Sequence, residues 1–135
     1  MGRVRHASLE YASTGNKKGR IRDMSKEPSP LEAELFFQIR AAGLTEPLPQ
    51  YKAIPGRKFV WDFAWVFHKL LVEVNGGTYV PNTGHTSGKG IERDAEKLNL
   101  ATLAGFRQLI FTSKMIKNGE AISILERAIN QNVGS

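Results

Sequence analysis

The stretch from Arg57 to Gly77, RKFVWDFAWVFHKLLVEVNGG, constrains the fold more than any other part of the chain. Residues 58–66 and 70–75 are rich in aromatic and β-branched types, which predicts two strands joined by a tight turn. Each strand carries one acid in an apolar context, Asp62 in the first and Glu73 in the second. A turn centred between Phe67 and His68 pairs residues whose numbers sum to 135, and Asp62 and Glu73 form such a pair. Opposed side chains on one face have Cβ atoms roughly 4.5–5.5 Å apart. Asn75 falls two positions further along the same face. Two carboxylates and an amide oxygen therefore converge. Like charges in that position destabilise a sheet, and a buried unpaired carboxylate is worse. A hard divalent cation removes the penalty, because Mg²⁺ takes oxygen ligands from one or two carboxylates plus substrate phosphate. A solvated polar face on a half-buried hairpin explains the same acids without a metal.

The rest of the chain can be placed around that hairpin. Ser29, Pro30 and Glu32 make an N-cap, a first helical residue and a capping box. Leu31, Leu35, Ile39 and Ala42 form one stripe before Gly43. Glu32 lies roughly 50° from the centre of that stripe at 100° per residue, pointing towards the sheet; the capping box alone also accounts for it. Gln50–Ile54 reads as a short strand before the turn dipeptide Pro55-Gly56. Residues 78–90 form a loop long enough to expect a function, and it carries His85. A helix is predicted over 91–104, with Asp94, Lys97 and Ala101 on one face and Ile91, Leu98 and Leu103 supplying apolar contacts. Residues 106–112 follow as a fourth strand, and 119–131 as a closing helix bearing Ile122, Leu125, Ala128 and Ile129. The order is α-β-β-β-α-β-α. The intervening helix makes strand four parallel to its neighbour, in a four-stranded mixed sheet flanked by helices.

A chain of 135 residues supports one domain with a core. The absence of cysteine excludes disulfides and thiolate metal sites. No apolar run approaches the roughly 20 residues that span a bilayer, and the first residues lack a signal-peptide core. A cytoplasmic protein without membrane contact is expected. Net charge is +6, and residues 1–30 carry seven Lys/Arg against three acids. Residues 1–28, with Arg3, Arg5, Lys17, Lys18, Arg20 and Arg22, read as a flexible basic arm before a domain at 29–135. Such a surplus favours polyanions, nucleic acid first.

The α-β-β-β-α-β order, with an acid in helix one, Asp62 in strand two and Glu73 in strand three, resembles the PD-(D/E)XK nucleases. More narrowly, WDFAW (61–65), VEVNGGT (72–78), GHT (84–86), RDAEKLN (93–99) and GFR…FT (105–112) resemble phage and bacterial endonuclease-like proteins related to the very-short-patch repair endonuclease. The likeness runs from about Ser29 to Ala128. It implies a restriction-endonuclease-like fold and Mg²⁺-dependent hydrolysis of DNA phosphodiesters, with Mn²⁺ as a substitute and branched or mismatched DNA as the substrate class. By the same likeness Asp62 and Glu73 hold the metal, Glu32 binds metal or positions water, and His85 is the loop histidine. Lys89 and Arg93 join the basic arm in holding DNA. Asn75 departs from the pattern, standing where the superfamily has Lys, and Tyr79 stands where some relatives have His. Lys97 of the crossover helix is the expected replacement for the missing ammonium. The competing expectations are a catalytically weak DNA-binding protein on the same fold and, third, a protein-interaction module; a homodimer is compatible with each.

Overall fold

The computed structural model describes residues 28–75 and 88–131. Arg3, Arg5, Lys17, Lys18, Arg20, Arg22, Tyr79, His85 and the side chain of Lys89 lie outside the described residues.

Helix α1, Pro30–Ala41, starts as its sequence demands. The Ser29 hydroxyl accepts from the Glu32 amide at 3.1 Å, and Glu32 Oε1 accepts from the Ser29 amide at 3.3 Å. Gly43, at φ +75°, lets the chain leave the helix in a conformation that L side chains resist. Strands β1 (Leu48–Tyr51), β2 (Trp61–Trp65), β3 (Leu70–Val74) and β4 (Arg107–Phe111) form one sheet in the order β1-β2-β3-β4. The first three are antiparallel, and β4 runs parallel to β3. Helix α2, Gly88–Leu103, makes the crossover between β3 and β4.

The hairpin register is the expected one: Phe63 faces Val72, Ala64 faces Leu71 and Trp65 faces Leu70. The turn itself differs. It is a 3₁₀ turn over Val66–His68, closed by Lys69 at φ +53°, and β2 starts at Trp61 rather than residue 58. Strand β1 lies two residues earlier than expected. Leu48 pairs with Ala64, and the edge is interrupted by Pro49 and by Gln50 at φ +49°. Such irregularities blunt an edge strand. Past β4, a short helix α3, Ser113–Lys117, capped by Thr112, precedes the closing helix α4, Glu120–Asn130. The closing helix is the one expected at 119–131, whereas the sequence predicts no element over residues 113–118; Gly119, at φ +88°, separates the two helices.

The two faces of the sheet carry separate cores. On one face Phe63, Trp65, Leu70, Val72 and Phe111 pack with Leu35 and Ile39 of α1 and with Leu125 and Ile129 of α4. On the other, Ala64 and Leu71 join Phe59, Trp61 and Ala101 of α2. The side chains expected to anchor α2 do not do so: Ile91, Leu98 and Leu103 are 61%, 44% and 81% exposed. The helix instead turns Lys97 and Ala101 inward, because the sheet beneath offers a carboxylate as well as apolar surface. No helix among the described residues is long and apolar enough to cross a membrane.

Candidate active site

The ladder between β2 and β3 ends at Phe63 and Val72. Asp62 and Glu73 each lie one residue beyond that last pair. There a side chain takes over from the backbone, and the Val74 amide donates to Asp62 Oδ2 at 2.7 Å. The bond satisfies an amide that the antiparallel ladder leaves over and fixes the carboxylate at the mouth of the hairpin. Asn75 follows at the end of β3, its amide donating to the Phe111 carbonyl at 2.8 Å.

Glu73 points to the α2 side of the sheet. Lys97 reaches down from α2 and donates to Glu73 Oε2. The same ammonium donates to the Val60 carbonyl at 2.8 Å and lies 4.8 Å from the Trp61 ring centroid. Trp61 is held in turn, its indole N–H donating to Gln108 Oε1 at 2.7 Å. Lys97 thus has a carboxylate, a carbonyl and an aromatic face around one charge. This satisfies most of its donors away from bulk water. The Lys97 and Glu73 side chains retain 17% and 25% of their exposure.

Burial is the main influence on Glu73 and pushes its carboxyl above the ordinary 4.5. Lys97 works against this, through its hydrogen bond and its charge, while Asp62 and Asp94 add to the rise. A carboxyl near two other acids gives up its proton less readily.

Glu73, Asn75, Asp94, Lys97, Gln108 and Ile110 line an open pocket of about 480 Å³. The structure therefore brings together Glu73, Asn75 and Lys97 of the expected set, with Asp62 beside them. It does not bring Glu32 into a common metal cage with them. Glu32 closes the capping box of α1, which packs on the other sheet face, and no three acid or histidine side chains among the described residues converge on a metal-sized point. Arg93 lies on α2 one turn before Lys97, with its guanidinium over Phe59. Sequence reasoning missed Trp61, Gln108 and the Val60 carbonyl as partners of the site, and it placed Asp94 only on a shared face with Lys97.

The donor set suits a small hard cation. Asp62 and Glu73 each have one carboxylate oxygen engaged by a donor and a second with no partner among the described residues. Carboxylate and amide oxygens are the ligand types that Mg²⁺ takes, with water and phosphate filling the rest of its shell. No family model, curated protein or solved structure matches the chain.

Proposed function

We propose that the protein is a metal-dependent endonuclease acting on DNA phosphodiesters, on a restriction-endonuclease-like core of the PD-(D/E)XK type. The observation that carries the reading is Lys97. An ammonium delivered from the crossover helix meets Glu73, two residues before Asn75, the position where the resemblance calls for lysine. The charge is supplied from a different element to the same carboxylate.

Each residue then has a chemical task. Asp62, oriented by the Val74 amide, and Glu73 would hold Mg²⁺ or Mn²⁺ with Asn75 beside them. A bound divalent ion acidifies a water molecule and stabilises charge growing on a phosphate. Lys97, held by the Val60 carbonyl and the Trp61 ring, orients the attacking water or gives a proton to the leaving oxygen. The open pocket leaves a phosphate room beside Glu73 and Lys97. Plasmid nicking with Mg²⁺ or Mn²⁺, with and without chelator, tests this directly, and branched and mismatched duplexes extend it to substrate class. Chelator-insensitive cutting, or none with either metal, removes the reading.

A second reading has its own support. Lys97 already neutralises Glu73, and no three-acid cage exists among the described residues. A DNA-binding protein that keeps the fold without turnover fits those two facts. It would show salt-dependent DNA affinity and no metal-dependent cleavage.

A further inference from the structure

Phe59 is buried, with 5% exposure, and carries two guanidinium groups on its ring. The Arg57 Cζ lies 4.8 Å from the ring centroid and the Arg93 Cζ 5.3 Å. The two like charges are therefore held no further apart than those distances combined, one from the β1–β2 connection and one from α2. Only one anion answers them among the described residues: Glu96 Oε2, 2.9 Å from Arg57 Nη2. Arg93 has no carboxylate partner among the described residues. Contact with the ring holds both guanidinium groups beside Phe59.

The neighbouring residues give the arrangement a direction. Lys97 follows Arg93 by one helical turn on the same face of α2. The segment Phe59-Val60-Trp61 receives all three cations in sequence: Arg57 and Arg93 on the Phe59 ring, then Lys97 on the Val60 carbonyl and the Trp61 ring. Arg93 shares a depression beside α2 with Glu92 and Glu96, and Glu96 is the carboxylate already paired with Arg57. Arg57, Arg93 and Lys97 thus form a row of cations that ends at Glu73.

From this geometry we infer that Arg57 and Arg93, both held against Phe59, form a clamp for a nucleic-acid backbone phosphate, next along the strand from the one that would be cut beside Glu73. The inference rests on the DNA-directed reading above and adds Arg57 and the Phe59 platform to it. Guanidinium pairs suit this task because each presents two parallel donors to a phosphate.

The test is equilibrium binding of a fluorescent duplex across a salt series in chelator, where no metal-dependent cleavage intervenes. Each lost phosphate contact lowers the slope of log affinity against log salt by about 0.9, equivalent to roughly eightfold in affinity near ~0.1 M salt. Arg57→Gln with Arg93→Gln is expected to lower the slope by about two and the affinity roughly sixtyfold. Arg57→Lys with Arg93→Lys, which keeps both charges, is expected to restore the slope. Lys114→Gln on α3, away from the row, is expected to change neither beyond twofold. If the double glutamine variant does not fold, Arg93→Gln alone, at an exposed residue, should lower the slope by about one. An unchanged slope in the folded glutamine variant overturns the clamp. Wild-type protein with no salt-dependent binding overturns the clamp and the DNA reading together. Wild type that binds but never cuts, with the slope reduced in the variant, keeps the clamp and removes only the nuclease.

Discussion

Lys97→Met is the most informative single change, because it removes one charge and leaves the apolar stem. In the native protein the ammonium donates to Glu73 and to the Val60 carbonyl and faces the Trp61 ring. Breaking a fully buried pair by deleting one partner costs roughly 3–5 kcal/mol. Both side chains here keep some exposure, 17% and 25%, so a cost of about 2–3 kcal/mol is expected near neutral pH. Roughly 1 kcal/mol of that belongs to the carbonyl bond and the ring contact and does not depend on Glu73. The remainder, about 1–2 kcal/mol, comes from the carboxylate left uncompensated.

That remainder depends on pH. The Glu73 carboxyl titrates above its ordinary 4.5 in the fold, mainly through burial. A group raised in this way contributes stability that is fully present below 4.5 and is lost as pH rises through its folded value. Without Lys97 the two influences that lower Glu73 disappear, so its folded value climbs and more stability is lost by neutral pH. The penalty of Lys97→Met should thus grow from about 1 kcal/mol near pH 4 to about 2–3 kcal/mol near pH 7.5. Urea unfolding followed by the fluorescence of Trp61 and Trp65, both buried, measures it. A cycle with Glu73→Gln isolates the pair. A penalty flat across that pH range, or a coupling below about 0.5 kcal/mol at neutral pH, would refute the reasoning. Turnover separates the chemistry: single-turnover cleavage should fall strongly in Lys97→Met while DNA affinity changes little. The opposite pattern makes Lys97 a phosphate contact.

Asp62→Ala should abolish metal-dependent cleavage and also cost about 1–2 kcal/mol, since the Val74 amide loses its acceptor; Asp62→Asn should abolish cleavage at less cost, and equal stabilities would mean the bond matters little. Asn75→Asp should tighten Mn²⁺ binding by calorimetry and lower the metal-free melting temperature, because a third carboxylate joins Glu73 and Asp94 at one pocket; unchanged affinity would remove Asn75 from the metal's surroundings. Ser29→Ala should cost about 1 kcal/mol by removing the cap of α1, whereas Glu32→Gln should preserve the box and leave Mn²⁺ affinity unchanged; a loss of Mn²⁺ affinity would return Glu32 to the site. Removing residues 1–24 should flatten the salt dependence of DNA binding by several units at an unchanged melting temperature, and an unaltered slope would mean the basic arm does not touch DNA.

The parts of this molecule that local rules govern were readable in the chain. The capping box at Ser29 and Glu32 is satisfied within one turn, and the hairpin register follows from the pattern that puts Phe63, Trp65, Leu70 and Val72 on one face and Ala64 and Leu71 on the other. The orientation of α2 was not readable, and the reason is physical. Ile91, Leu98 and Leu103 made the usual case for an apolar inward face, but an inward face is chosen against the surface it meets. That surface includes Glu73, whose desolvation raises its carboxyl and is offset by an ammonium more than by a leucine. The helix therefore presents Lys97 and Ala101, and three apolar side chains stay in the open. The same exchange explains why the site's partners were hidden. Trp61 looks like plain core by composition. Only with Lys97 over its ring and Gln108 at its indole nitrogen does it become a support for the charge beside Glu73. A helix that gives up apolar burial to seat one lysine is a local conflict between packing and sequence pattern, and such conflicts concentrate where a protein binds or reacts.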